Sequence, residues 1–582
     1  MPASAALVFA VAAPTLLAFN VSPSATLLNQ LLAVAGWGLV LLLLPTEARR
    51  QRGGGAWPLQ AVLVVLGLAV LASCSAGLPS SMGLAAGGVL LAALAVMSAA
   101  HGLSDGRVRG SATAAGAASP WPIAAFFAGV LLAGVASALI GGVQVFFPAW
   151  ADGEFIARSG LVGRAVGNLR QPNHLSSLLV WALIALVPLA QAGRLLWLRF
   201  ALPAALGVGA LLVLGVVLTA SRTGVLGVVL LALWGLLDRR LGKGVRVAMC
   251  AAPVLYGLGW MVVAGWAHET AHTFGGEVRL GEGDLSASRF GIWANTLALI
   301  RANPLAGVGF GEFNFAWTLS EFPQRPVAFF DHTHNLPLQF AVELGLPLAG
   351  LLMALLIWSL WLAGRRSWQG QGDAGAASRA AFMMVLLIGL HSLLEYPLWY
   401  AYFLLPTAWA WGWALRRPPE ASQPRVMAES HWLGRVAGAL MLAGAAFAVY
   451  DYSKAVAIFA PGKTAAPLPE RILRGQNSWL FSHQADYAAA TTTEPPSRAM
   501  AAFGSTTHAL LDTRLMMDWA RALSESGHAD KASYLAARLR EFRNPAAAAF
   551  FAACDPPPAP GAAPPFQCVP PTTRLGWRDF LN

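Results

Sequence analysis

Two histidines one residue apart, His332 and His334, stand in the polar stretch Asp331-His332-Thr333-His334-Asn335, directly before an apolar run from Leu336 to Trp361. Imidazole exchanges protons nearest neutral pH, so such a pair suits acid–base work or metal ligation. Asn335 is a good N-cap, and Pro337 fits a first turn whose amides have no internal partner. The free amides and dipole of that helix mouth favour an anion. They disfavour a charged imidazole nearby, which leaves His334 neutral and able to act as a general base. Zinc is the competing reading. Asp331, His332 and His334 could ligate it, but no CxxC or HExxH exists to complete a site. A merely structural pair of loop histidines is the plainest alternative.

The helix after His334 is one of many. The 582 residues are 57% hydrophobic and 12% charged, with a mean hydropathy of +0.57. That composition excludes a soluble globular protein and predicts an all-α polytopic membrane protein. Thirteen apolar windows are predicted to cross, at about 4–19, 27–45, 57–73, 82–99, 122–141, 173–192, 200–219, 223–237, 245–264, 335–362, 380–395, 398–415 and 432–450. One set of alternating loops holds Arg49, Arg50, Arg52, Arg107, Arg109, Arg194, Arg199, Arg239, Arg240, Lys243, Arg246, Arg365, Arg366, Arg379, Arg416, Arg417 and Arg425. The opposite loops at 20–26, 74–81 and 391–397 hold no arginine or lysine. The positive-inside rule then makes the basic set cytoplasmic, with the N-terminus inside and the C-terminus outside. The net charge of +11 follows from this pattern and does not indicate nucleic-acid binding. The first helix lacks the basic leader and cleavage site of a signal peptide.

Four sections follow: helices at 1–264 with an outer loop at 142–172, an outer loop at 265–334, helices at 335–450, and an outward region at 451–582. The segment 100–120 reads as a cytoplasmic linker. Cys74 and Cys250 read as packing residues. Cys554 and Cys568 flank a Pro/Ala-rich loop, where an oxidising compartment would permit a disulfide. The outward region has a helical pattern over about 507–543, including Trp519, Ala520, Ala532 and Leu535, and a final Pro/Ala-rich stretch that reads as irregular.

Four further polar clusters fall on the outer side. Gly167-Asn168-Leu169-Arg170-Gln171-Pro172-Asn173-His174 reads first as a turn with an Asn cap. Ser221-Arg222-Thr223-Gly224 places an arginine at the membrane boundary, where it either snorkels to headgroups or binds a lipid-borne phosphate. Phe290, Trp293, Leu297 and Ile300 repeat at helical spacing, predicting an interfacial helix with Arg289 pointing away from the stripe. Pro304, Gly307, Gly309 and Gly311 then read as a flexible turn, neither a Walker loop nor a dinucleotide fingerprint. In His391-Ser392-Leu393-Leu394-Glu395-Tyr396-Pro397, His391 and Glu395 at i, i+4 could pair on one face.

SRTG (221–224), RFGIW with NPLAGVGFGEF (289–313) and HTHN with ELGLPLAG (332–350) resemble the O-antigen ligase/polymerase superfamily. GNLRQPNHL (167–175) and HSLLEYPLWYAYFLLP (391–406) resemble the PglL-type O-linked protein oligosaccharyltransferases. The resemblance covers about residues 5–450, and the outward tail is its poorest part. It implies a bacterial inner-membrane enzyme with a periplasmic site, transferring an oligosaccharide from undecaprenyl pyrophosphate to Ser/Thr hydroxyls of proteins such as pilins, without a cofactor. Carried over by position, His334 is the essential histidine, and Arg222 and Arg289 are the pyrophosphate contacts. Gln171 and Tyr396 are additional functional positions, and His332, Asn335, His174 and His391 complete the expected substrate-binding set. An inverting in-line displacement is expected, although Glu343, Glu395 and Asp331 leave a double displacement open. The alternatives are an O-antigen ligase acting on lipid A-core, a Wzy-type polymerase, and a transporter or flippase. The last would show internal repeats, broken helices and midplane charges, none of which the sequence shows.

Overall fold

The computed structural model describes residues 2–44, 55–103, 121–192, 201–281, 285–322, 325–417, 432–555 and 563–581. The expected linker beyond residue 103, and Arg49, Arg50, Arg52, Arg107, Arg109, Arg194, Arg199 and Arg425, lie outside the described residues.

Every apolar window of the sequence is a helix. In order these are α1 (Pro2–Leu16), α2 (Leu27–Leu43), α3 (Trp57–Ser75), α4 (Ser80–Gly102), α5 (Trp121–Phe146), α6 (Pro172–Gln191), α7 (Ala201–Thr219), α8 (Arg222–Leu237) and α9 (Lys243–Thr270). Three helices of the 265–334 segment follow: α10 (Gly275–Gly281), α11 (Leu285–Ala302) and α12 (Phe313–Leu319). Next come α13 (Leu336–Gln369), α14 (Gly372–Ser392), α15 (Ala401–Ala414) and α16 (Trp432–Phe459). The C-terminal region forms α17 (Leu468–Gln476), α18 (Ser482–Thr492), α19 (Met500–Thr506), α20 (Thr513–Glu525) and α21 (Ala529–Glu541).

The protein is thus an all-α polytopic membrane protein with large non-membrane segments. Eight helices among the described residues (α3, α4, α5, α6, α9, α13, α14 and α16) are long and apolar enough to cross a membrane, fewer than the thirteen expected. Length is the reason for the other five. α1, α2, α8 and α15 have 15, 17, 16 and 14 residues, and α7 counts as a shorter apolar helix over Pro203–Thr219; at 1.5 Å per residue these reach roughly 21–26 Å, short of a ~30 Å hydrocarbon core.

The centre of the bundle is α6, buried along nearly its whole length between α5, α7, α8 and α14. By contrast, α9 exposes Val254, Leu258 and Met261, and α16 exposes Leu433, Leu440 and Phe447. Such faces are a liability in water and neutral in lipid. A main core includes Trp37, Phe126, Trp181 and Trp409. The basic connections meet at one end of the bundle, where buried Arg379 pairs with Asp238 and Arg240 donates to Gly370 O. Arg366 donates to Leu415 O there as well. The motifs at 171–174, 221–224, 332–335 and 391–396 meet at the other. A second core joins Phe313, Phe315 and Trp317 of α12 to Phe503, Trp519 and Phe542 of the C-terminal region. There α20 and α21 form one hairpin, and Cys554 and Cys568 are disulfide-bonded.

Two sequence expectations change. In α11 the apolar residues split between faces: Ile292, Leu299 and Ile300 are buried against protein, while Phe290 and Leu297 are exposed. Phe290, Trp293, Leu297 and Ile300 share one side of the helix, but Ile300 is buried there and Ile292 and Leu299 on the opposite side meet protein, so the stripe is not the helix's only apolar face. The glycine-rich turn is also pinned, not flexible. Val308 N donates to Val342 O at 2.8 Å, Gly309 N to Glu343 O at 2.9 Å and Leu346 N to Pro304 O at 2.8 Å. These bonds fill a break in α13 at Gly345, whose φ of 77° and ψ of 162° lie in a region essentially restricted to glycine.

A Cβ at Gly345 would sit 2.2 Å from the Leu305 carbonyl oxygen, whereas one at Gly350 meets nothing within 4 Å. Gly345→Ala should therefore lower the unfolding temperature in detergent, with about 1–3 kcal/mol lost from backbone strain alone. Gly350→Ala, in the same helix, should leave it unchanged or raised.

Candidate active site

The mouth of α13 is built locally. Asn335 Oδ1 accepts from Leu338 N at 3.0 Å as the N-cap, and its Nδ2 donates to Leu393 O at 3.0 Å. Thr333, fully buried, donates from its amide to Gln339 Oε1 at 2.8 Å. Its carbonyl accepts from Trp293 Nε1 at 2.9 Å. Gln339 is held in turn by Glu343 Oε1 at 2.9 Å. Between these anchors His334 takes a left-handed backbone, φ 55°, uncommon for a residue with a side chain. His334 Nδ1 lies 2.7 Å from Glu395 Oε2.

Glu395 is the convergence point. Its side chain is 7% exposed. Its Oε1 pairs with the Arg289 guanidinium from α11 and accepts from Asn173 Nδ2 of α6 at 3.1 Å. Burial pushes this carboxyl up, but the hydrogen bond from His334 and the charges of His334 and Arg289 override it and hold the group down at about 2. An ionised Glu395 accepts the Nδ1 proton of His334, which leaves Nε2 as the atom able to take a proton.

His332 faces elsewhere. Its ring stacks on Tyr396 at 4.4 Å and meets Trp399 edge-on at 4.7 Å, while its Nδ1 lies 3.1 Å from Asp331 Oδ1. Tyr396 also packs against His334 at 4.9 Å. Burial pushes the Tyr396 and Tyr400 phenols up, Tyr400 to about 12, so both remain neutral hydroxyls. Asp331 and His332 thus face each other, while His334 faces Glu395. Among the described residues no group of three or more His, Cys, Asp or Glu side chains is placed to hold a metal ion.

The other expected residues fall around this centre. Gln171, not an asparagine, caps α6: its Oε1 accepts from His174 N at 2.7 Å. Asn173, free of that task, reaches Glu395 and accepts from Ser221 Oγ at 2.7 Å. Ser221 caps α8, which places exposed Arg222 one residue from the network, without a hydrogen bond or ion pair among the described residues. His174 and His391 are buried behind the site. His174 Nδ1 lies 3.3 Å from Tyr402 OH, and His391 Nδ1 lies 2.8 Å from Ser177 Oγ. The i, i+4 pairing of His391 with Glu395 is not made by side chains; only Glu395 N donates to His391 O. Sequence reasoning noted Glu395 but missed its central place, and missed Asn173. The available signal was the cost of a carboxylate at a membrane boundary, which demands named partners.

Beside the site lies a cavity of about 580 Å³. Leu59, Leu66, Val89, Leu356 and Ile388 are among its apolar walls, and Asp331, His332 and Asn314 border it as polar groups.

This geometry coincides with similarity to known proteins. The chain matches the protein glycosylation ligase family over residues 165–189, the α6 motif. It matches the O-antigen ligase family over 207–353, which contains Arg222, Arg289 and His334. It also matches the C-terminal part of the virulence factor membrane-bound polymerases over 379–552. A general O-oligosaccharyltransferase of Acinetobacter baylyi is 28% identical over 48% of this chain and 49% of its own length. The chain is related to O-oligosaccharyltransferases. A second relative from that organism, a ComP-specific O-oligosaccharyltransferase, is 27% identical over 44% of this chain and 45% of its own. The match thus spans about half the length of each curated relative. The polymerase match takes in much of the C-terminal region, the part with the weakest sequence resemblance.

The depressed Glu395 value fixes a sign. A carboxyl held at about 2, against an ordinary 4.5, contributes stability that is complete above pH 4.5 and is lost as pH falls toward 2. Glu395→Gln, measured by acid unfolding in detergent, should therefore show a shallower loss of stability across that window than the parent.

Proposed function

We propose that this protein transfers an oligosaccharide from undecaprenyl pyrophosphate to serine or threonine hydroxyls of periplasmic proteins such as pilins. The observation that carries the reading is the Arg289–Glu395–His334 arrangement within segments similar to O-oligosaccharyltransferases. The relatives' names specify O-oligosaccharyl transfer, one of them to ComP.

In this reading the acceptor hydroxyl attacks C1 of the first sugar from the face opposite the phosphate. The C1–O bond breaks, pyrophosphate leaves with the electron pair, and the hydroxyl proton passes to His334 Nε2. Glu395 keeps the imidazole in the required tautomer and stabilises the imidazolium that forms. The product is inverted at C1. Arg222 and Arg289 stabilise the charge developing on the leaving group, and a guanidinium suits that task better than an ammonium. Tyr396 and His332 offer an aromatic surface for the sugar, and Tyr396 a hydroxyl donor. The apolar cavity accepts part of the polyprenyl chain. His174, His391, Gln171 and Asn335 then act through positioning. The basic end of the bundle faces the cytoplasm and the site faces the periplasm of a bacterial inner membrane, with the short apolar helices completing thirteen crossings through local thinning or tilt of neighbours.

The test is transfer by purified protein in detergent with EDTA. Undecaprenyl-pyrophosphate oligosaccharide is offered to a pilin-like protein and, separately, to lipid A-core, with His334→Ala alongside. The expected result is protein glycosylation that persists in EDTA, gives an inverted linkage and falls about 10²–10⁴-fold in the variant. Transfer confined to lipid A-core would replace the acceptor with that of an O-antigen ligase. Loss of activity in EDTA, or a retained anomer, would overturn the mechanism.

A further inference from the structure

The segment leading into Asp331-His332-Thr333-His334 is not seated on the membrane bundle alone. Phe329 stacks on Phe542 of the C-terminal region, with centroids 3.8 Å apart and planes 10° from parallel. Arg325 is fully buried, pairs with Glu541 at 3.2 Å, and lies over the rings of Trp317, Phe322 and Phe542. Tyr534 OH donates to Leu319 O at 2.6 Å.

A second set of contacts lies across the same core. His508 Nδ1 is 2.7 Å from Glu312 Oε2, with both side chains buried, and its ring stacks on Phe315 at 4.6 Å. Asn314 joins the two sides. Its Oδ1 accepts from Leu511 N of the C-terminal region at 2.8 Å, and its Nδ2 donates to Phe330 O at 2.8 Å. The Phe330 ring meets His334 edge-on at 5.7 Å. Asn314 also borders the cavity, as does Ala509 from the same tail turn.

We infer that the C-terminal region is a working part of the active site: through Asn314 and Phe542, it positions the loop that carries His334. The inference rests on His334 being the reactive histidine of the proposed function. The physical need is clear. Residues 325–335 contain no helix or strand of their own, so ordering them costs conformational entropy that outside partners must offset. The left-handed backbone at His334 persists only where its surroundings over-determine it.

The test compares full-length wild type in lipid nanodiscs with Asn314→Leu and with Phe542→Leu, which keeps an apolar side chain and removes the stack. Hydrogen exchange and steady-state transfer are both measured. Amide exchange over 329–335 is expected to rise about tenfold or more in both variants, while α6 and α14 keep their protection. The turnover number should fall about 10²-fold in both variants, and in Phe542→Leu at unchanged KM for the donor, the signature of a displaced reacting group. Unchanged protection at 329–335 in both variants overturns the inference. A rise spread equally through α6 and α14 also overturns it, because the side chains would then serve global stability. If the wild type shows no transfer while exchange responds as expected, the proposed reaction fails and the positioning role stands.

Discussion

A buried carboxylate is costly unless charges and hydrogen bonds surround it, and Glu395 is surrounded. Arg289 comes from helix α11, Asn173 from the central helix α6, and His334 from the mouth of α13. These elements are far apart in the chain, and none of them alone would hold a charge out of water. Their meeting stabilises the ionised carboxylate, and that carboxylate fixes the histidine. Removing any one partner would leave the others facing an uncompensated buried charge, which is why the site depends on this one group.

The rest of the bundle serves that meeting. A bilayer gives no driving force for apolar surfaces to seek each other, so position comes from close packing and polar links between helices. α6 is buried almost throughout and delivers Asn173 through a first turn capped by Gln171. Ser176 and Ser221 are hydrogen-bonded at 3.1 Å, linking α6 to the start of α8. The broken helix α13 is the other fixed point. Its break at Gly345 accepts the 304–309 strand of backbone, so the polar groups freed by the break are paired inside protein, as the low dielectric requires.

The C-terminal region belongs to the same mechanical unit. Its apolar core is continuous with α12, and its polar contacts reach Glu312, Asn314 and Arg325 of the 265–334 segment. It is anchored to the bundle as well. Asp451, buried in α16, accepts from Ser478 Oγ at 2.7 Å and Leu480 N at 2.8 Å. A region held from both sides in this way transmits position to whatever it touches, directly to Phe329 and through Asn314 to Phe330.

Helix existence was legible in the sequence because hydropathy is a local sum, and all thirteen windows are helices. The Asn335 cap and the adjacent histidines were legible for the same reason: a cap needs only its own first turn. Whether a short helix crosses was not, since that depends on length against a membrane. Which face of α11 meets protein was not either, because Ile292 and Leu299 repeat at the same period as Phe290 and Leu297. Partner choice was the least legible. Spacing along one helix suggested His391 for Glu395, and cap propensity suggested Asn173 for the α6 terminus. The folded chain gave His391 to Ser177, the cap to Gln171, and both Asn173 and His334 to Glu395. By itself the sequence determined a helical membrane protein with histidines, arginines and carboxylates gathered in a few motifs. Only the tertiary structure decided which of them touch, because a charge buried at a membrane boundary takes its partners from whatever elements packing brings within hydrogen-bond reach.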